Sequence, residues 1–445
     1  MKKFKCLIMA LLMTSTMSGC FFGGDDTPDV VVSPDGTVPT GGIDASITVQ
    51  AEASWVPYYE AAVARVLVDN PLSDIEIIEM GPFDLFDLLD STSITNEDVA
   101  DVFAIPLDRV YGMAQNEVLA SLDAPAMAAK VGGWTDFDAG LGGAFKIDGN
   151  YLAFPLNIET LVVYANKANA ATHDIDLTKP VEFTDLGYED MLSVVHDAWF
   201  GVAFTNSIDL NLLSMSPDGK FTTDLTKDFS QLTPAQQDFF KTLYQYWKSH
   251  YDNATDLWDK GAAWGYVDSS FTTGGPTSLR IDGPWAAPAM AEKTNNGADL
   301  EVLPLDTIIV NGNPLTHWKG GWGLAINARI EEDPAKMALA EDLIMELVNP
   351  KYAADLFENT GKILENVSVE QYNNMPNLSD MNKKIIDATI VSYNESIARP
   401  LFTEWGQVWG TWQNALLSWS ATQPKNVEEA YAQVQAAFKA MMAGF

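Results

Sequence analysis

Only two cysteines, Cys6 and Cys20, occur in the 445 residues, and both lie close to the amino terminus. The rest of the chain therefore has no thiol for a disulfide and none for a thiolate zinc site. Positive charge is also scarce, with 26 Lys and Arg against 61 Asp and Glu and a formal net charge of −35. A nucleic-acid binder replaces the counterions around phosphate with its own cations, and no basic run follows the first few residues. Long apolar runs are missing as well. The stretch from Cys6 to Met13 is far short of the roughly 20 residues that span a bilayer. Catalytic signatures are equally thin. There is no GxxxxGK(S/T) phosphate loop, no HExxH pair and no GxSxG elbow, and Gly140-Leu141-Gly142-Gly143 lacks the strand–turn–helix setting of a dinucleotide fingerprint. The four histidines, His173, His196, His250 and His317, are scattered. Carboxylates alone are plentiful enough that counting does not exclude a glycosidase pair.

What is present begins with Lys2, Lys3 and Lys5, the apolar stretch, and then Ser18 and Gly19 directly before Cys20. That is the build of a secretory signal peptide, and Met17-Ser18-Gly19-Cys20 resembles a bacterial lipobox. The resemblance implies cleavage before Cys20, diacylglycerol on its sulfur, and a protein anchored to the cell membrane on its extracytoplasmic side. Two acyl chains anchor stably where one gives only reversible attachment. The competing reading is an ordinary cleaved signal with an incidental cysteine. Residues 1–19 are thus expected to be a leader, and residues 20–43 a lipidated cysteine with a flexible tether. That tether holds Gly23, Gly24, Gly36, Gly41 and Gly42, three prolines and four aspartates, without amphipathic period. Removing 19 of 445 residues leaves 426, enough for two ordinary domains or one large one. Taking the three leader lysines from −35 leaves −38, a charge suited to solubility outside the cell. A hydrophobic content of 47% means large cores.

The body then alternates between strand-like and helix-like segments. Ile47–Ala51 reads as a strand, Pro57 to Leu67 has helical spacing, and Ile75–Ile78 and Val99–Ile105 read as further strands. A helix-like run follows from Leu107 to Leu119. This order predicts an α/β fold with mostly parallel sheets flanked by helices, whose ligands bind at the carboxyl ends of the strands. Shorter strands are expected at Tyr151–Leu156, Leu161–Tyr164, Leu279–Ile281 and Gly323–Ile326. Helical periods mark Ala235–His250, Glu332–Val348, Phe402–Trp419 and Val427–Met442.

Several segments, in order and spacing, resemble the extracellular solute-binding proteins of ATP-driven carbohydrate importers, above all the maltose- and maltodextrin-binding family. They are Phe271-Thr-Thr-Gly followed by Leu279-Arg-Ile-Asp-Gly-Pro-Trp285-Ala, Asp101 to Arg109, Ile147 to Pro155, Ile158 to Lys167, and Gly320-Gly-Trp322-Gly-Leu-Ala-Ile-Asn327. The resemblance implies a two-lobe, periplasmic-binding-protein-like fold of type II with a hinge between the lobes. Crossings between lobes would fall near Leu156–Glu159, Trp318–Gly321 and Gly361–Leu364. One lobe would hold residues 44–157 and 321–361, the other residues 158–320 and 362–445. It further implies a non-enzymatic, monomeric binding subunit without cofactor or nucleic-acid partner. Its ligand would be an oligosaccharide, most simply a maltodextrin, handed to membrane permease subunits that work with a separate ATPase.

A pyranose offers an apolar C–H face to Trp or Tyr and hydroxyls to Asp, Glu and Arg. The positions that match the family's contacts have that chemistry. They are Asp108 and Arg109 past a strand end, Glu159 at the first crossing, Asp197 and Trp199 in Asp-Ala-Trp-Phe, and Trp285 after Gly283-Pro284. Trp405 lies near the family's last stacking aromatic, with Trp409 competing, although Trp405, Trp409, Trp412 and Leu416 are spaced like one helical face. Trp55, after the first strand, replaces a family lysine, and Ile105 stands where maltose binders place a tryptophan. Those two departures leave open which glycan is bound. Trp247 reads as core. Two other functions also stay open: a surface glycoside hydrolase, and a sensory or adhesive glycan-binding lipoprotein.

Overall fold

The β–α–β start expected from the sequence is present. In the computed structural model, which describes residues 42–81, 84, 85, 88 and 96–445, strand β1 (Ser46–Ala51) leads into helix α1 (Val56–Asp69) and strand β2 (Asp74–Glu79). The leader, Cys20 and the tether as far as residue 41 lie outside the described residues. Pro57 sits in the first turn of α1, where its missing N–H costs no hydrogen bond. The helix buries Tyr58, Tyr59, Ala62, Val63 and Val66, and β2 pairs parallel to β1. Strand β3 (Val102–Pro106) is buried throughout. The helix-like run after it divides into a 3₁₀ turn, Leu107–Arg109, and helix α2 (Val110–Gln115). Glu117, with φ of 54°, then turns the chain.

Among the elements that follow are strands β4 (Phe154–Glu159) and β5 (Val162–Asn166), and helices α3 (Ala198–Asn206) and α4 (Pro234–Asp252). Then come β6 (Leu279–Asp282), α5 (Ala287–Lys293), β7 (Leu300–Leu303) and β8 (Trp318–Ile326). Helices α6 (Pro334–Leu347), α7 (Asp380–Asn394), α8 (Gly406–Thr422) and α9 (Val427–Met442) complete the path. Local chemistry sets their ends. Thr233 and Gln236 form a capping box on α4, Asp333 accepts from Ala335 N–H and Lys336 N–H on α6, and Asn426 caps α9. The inward face of α4 carries Phe239, Phe240, Leu243, Tyr246 and Trp247, so its stability comes chiefly from burying that face. Among the described residues, no helix is long and apolar enough to cross a membrane.

The sheets are mixed rather than mostly parallel. The first runs β2-β1-β3-β8 and ends on the short strand Ile397–Ala398, with β8 antiparallel to β3 and to β4. The second runs β7-β5-β6 and ends on the short strand Met191–Leu192, with β5 antiparallel to both of its neighbours. Parallel pairing needs a crossover connection, usually a helix. Strand β5 instead continues from β4 across only Thr160 and Leu161, and the later strands meet it running the other way.

Two hydrophobic cores result. Val162, Tyr164, Leu300 and Val302 on one face of the second sheet join the core built on β1, β3, α1 and α6. Leu161, Val163, Ala165, Leu279 and Ile281 on the opposite face join the core that holds α4, α8 and α9. The alternation follows from the period of two along a strand. Strand β8 has Trp318 in the second core and Leu324–Ile326 in the first. Where β4 meets β8, Glu159 pairs with Gly320 and Ile158 with Gly321, and Ile158 N–H donates to the Ile363 carbonyl at 2.9 Å. The three segments expected to cross between lobes are therefore neighbours. Gly321 permits that approach, since a Cβ there would lie 2.6 Å from the Asn157 carbonyl oxygen and 2.5 Å from Leu141 Cδ1.

Candidate ligand cleft

A cleft of about 840 Å³ opens where these strands end. From the first sheet, the carboxyl end of β3 delivers Asp108 and Arg109 through the 3₁₀ turn, while the end of β4 supplies Glu159 and β8 supplies Trp322. Opposite, the start of α3 brings Asp197, Trp199 and Phe200, and β6 brings Arg280 and Asp282. Gly283-Pro284 stops β6, and the turn Pro284–Ala286 holds Trp285 in the cleft with 44% of its surface exposed. The indole lies over Gly283, where a Cβ would sit 2.1 Å from its ring carbons. Any other residue at position 283 would displace the ring.

Each wall is fixed from behind. Asp197 caps α3, accepting from Trp199 N–H at 3.0 Å; burial raises its carboxyl above the usual range, against the pull of that N–H and of Lys260. His317 donates from Nε2 to the Trp199 carbonyl at 2.8 Å and packs edge-on to the indole at 4.5 Å. Burial, with Arg399 adding to it, holds the His317 ring at a pKa of about 3, so it is neutral and keeps one donor on that carbonyl. Trp199 and Trp285 stand 6.5 Å apart at 44°, two tilted aromatic walls.

The polar groups are held in pairs. The buried Arg280 reaches Asp268 at 2.7 Å and Asp282 at 2.6 Å. Burial raises the Asp282 carboxyl, while the Arg280 guanidinium and Gly283 N–H draw it back. Arg399, enclosed by Trp199, Trp318 and Trp409, binds Asp108 at 2.7 Å. Trp322 donates from Nε1 to Glu159 at 3.1 Å, and the Lys362 ammonium lies 4.4 Å from its ring. Burial lowers the Lys362 pKa, opposed by Glu159 and Glu52. Ligand groups that enter this cleft meet preoriented carboxylates and guanidinia between indole faces. The arrangement suits a solute with flat apolar faces and a rim of hydroxyls. Among the described residues, no group of three His, Cys, Asp or Glu is placed to hold a metal ion.

Six of the eight residues selected from the sequence line this cleft: Asp108, Arg109, Glu159, Asp197, Trp199 and Trp285. Trp55 and Trp405 do not. Trp55, 3% exposed, precedes α1 and turns into the first core, stacked on Tyr59 at 6.1 Å. Trp405, 5% exposed, is wedged edge-on between Trp318 and Trp409, each at 4.7 Å. One helical turn later, Trp409 reaches the cleft instead. Trp247 is buried, as its spacing suggested. Trp264, Asp268, Trp322 and Arg399 escaped the sequence reading, as did the Arg280–Asp282 pair. Only Arg280 and Asp282 left a signal there, two charges inside an otherwise apolar strand. Ile105 is fully buried, and Trp322, opposite the adjacent Pro106 on the next strand, brings an indole to that side.

Comparison with known proteins agrees with this architecture. The maltodextrin-binding protein MdxE of Bacillus subtilis (strain 168) is 23% identical over 380 residues, covering 82% of each chain. Among solved structures, the maltose-binding periplasmic protein MalE of Listeria monocytogenes, in complex with maltose, superposes with a TM-score of 0.68 at 17% identity, covering 90% of this chain and 99% of the other. MalX of Streptococcus pneumoniae, in complex with maltopentaose, gives 0.66 at 17% identity, covering 88% and 99%. Both share the two-lobe α/β fold. The sequence model described as bacterial extracellular solute-binding protein matches residues 74–380, well over half of the chain, and the protein belongs to that family.

Proposed function

We propose that the protein is the lipid-anchored binding subunit of an ABC importer and that it takes up neutral oligosaccharides of the maltodextrin type. The observation that carries the reading is the pairing of indole walls with fixed carboxylates and guanidinia in one cleft: Trp199, Trp285 and Trp409 beside Asp108, Glu159, Asp197 and Arg399. A sugar ring needs both, an apolar face against aromatic carbon and hydrogen-bond partners around its edge. The names of the relatives, maltodextrin-binding and maltose-binding, support the same ligand class. Membership in an extracellular solute-binding family places the folded body outside the cytoplasm and makes it a binding protein, not an enzyme.

The anchor rests on the leader and Cys20. The lobes are taken as residues 44–157 with 321–361 and residues 158–320 with 362–445. The packing of α7 against the second sheet supports that division, with Ser392 Oγ accepting from Leu305 N–H at 2.9 Å. Ligand then closes the hinge at the adjacent segments around Glu159, Gly320 and Ile363. Calorimetric titration with a glycan panel, followed by product analysis, tests the reading. Heat of binding with intact sugar is expected, whereas new reducing ends would overturn it in favour of hydrolysis. Small-angle scattering is expected to show a smaller radius of gyration with saturating oligosaccharide.

A further inference from the structure

Lys362 stands behind the cleft wall, at a corner of the chain that meets groups from both sheets. Gly361 closes the helix Ala353–Thr360 in the left-handed conformation, with φ of 68° and its N–H donated to the Phe357 carbonyl at 2.7 Å. A Cβ on Gly361 would lie 3.7 Å from Trp285 Cα, so the corner packs against the turn that carries that indole. Two residues later, Ile363 accepts from Ile158 N–H. The Lys362 side chain between them is partly buried. Its ammonium lies over two rings, 4.4 Å from the centre of Trp322 and 5.1 Å from that of Trp55. Both distances fall within the roughly 6 Å over which an aromatic face attracts a cation.

Trp322 links this cation to the ligand. It lines the cleft, and its Nε1 donates to Glu159 at 3.1 Å. A carboxylate thus fixes one edge of the indole and an ammonium one face, and together they define the plane it offers. The ammonium also acts on the carboxylates, since Glu159 and Glu52 are its electrostatic partners and oppose the effect of burial on it. Such an attraction is screened less in a partly enclosed site than at the surface. Trp55, which does not reach the cleft, gains a role here as the buried ring that keeps the ammonium against Trp322. A lysine kept for stability alone would extend its four methylenes and leave the charge in water. Held over two indoles, the charge instead orients groups that meet ligand.

Resting on the sugar-binding reading above, we infer that Lys362 is a positioning residue: its ammonium, held against Trp55 and Trp322, fixes the Trp322 indole and the Glu159 carboxylate where a sugar ring and its hydroxyls land. Lys362→Met keeps the stem and removes the charge, and Lys362→Arg keeps a cation that stacks on indoles. Parent and variants are titrated calorimetrically with maltotriose, with thermal melts beside them. Lys362→Met is expected to weaken binding about tenfold while Tm stays close to that of the parent, and Lys362→Arg to recover binding to within about threefold. In a Trp322→Leu background, Lys362→Met should weaken binding by less than about threefold, because much of its effect passes through that indole. Lys362→Gln serves if the methionine variant does not fold. An unchanged affinity in Lys362→Met, no recovery by Lys362→Arg, or equal losses with and without Trp322 overturn the role. If maltotriose does not bind the parent, it is the underlying sugar reading that fails, and near-UV circular dichroism of the ligand-free proteins then decides the positioning role by itself. Lys362→Met should alter the indole bands more in the parent than in Trp322→Leu, and unchanged bands overturn it.

Discussion

Truncating Trp285 to alanine removes a surface that the fold leaves open for ligand. A covered tryptophan buries about 150–250 Å², so the 44% that stays exposed in the cleft offers roughly 90 Å² to a bound ring. At about 25 cal/mol per Å² of apolar surface, covering it contributes about 2 kcal/mol, or about 30-fold in Kd. Trp285→Ala should weaken oligosaccharide binding by about that factor in calorimetric titration, with little change in Tm. Trp247 is the matched control. It is 1% exposed on the inward face of α4 and packs edge-on to Trp419 at 5.8 Å. Trp247→Ala should cost about 3–5 kcal/mol of stability and leave the affinity of the folded fraction nearly intact. Exchange of the two phenotypes, or a Trp285→Ala protein that binds within about threefold of the parent, would refute the reasoning.

The buried His317 gives a pH dependence with a defined sign. Its folded pKa of about 3 lies below the ordinary 6.5, so the unfolded chain takes up a proton first. Stability therefore falls as pH drops below about 6.5, by about 1.4 kcal/mol per pH unit for this residue. His317→Gln should flatten the difference in Tm between pH 7 and pH 5 relative to the parent, and an unchanged difference would contradict the assignment. Gly321→Ala forces a Cβ against the Asn157 carbonyl oxygen and should cost about 1–3 kcal/mol in denaturant unfolding, whereas Gly406→Ala, which enters open space, should not. Cys20→Ala should move the protein from the membrane fraction to the soluble one; unchanged retention without lipid mass on the amino-terminal peptide would remove the anchor.

Local chemistry made much of this protein legible in its sequence. Helix α9 spans Val427–Met442 as its periodicity implied, because an amphipathic stripe and the Asn426 cap are local facts. Asp108 and Arg109 fall in the cleft because they follow a buried parallel strand, and Trp285 because Gly283-Pro284 must stop β6. What the tertiary structure alone decided depends on residues far apart in the chain. Trp322 becomes a cleft residue only when β8 lies against β3 and β4 and Glu159 takes its N–H. Arg399 acquires a role only when three indoles and Asp108 enclose it. Whether Trp405 or Trp409 faces ligand is a question of how α8 is rotated against Trp318, and helical spacing says which residues share a face but not what that face meets. The direction of β5 has the same origin: strand pattern reports burial, while pairing is chosen by the neighbours that arrive later in the chain.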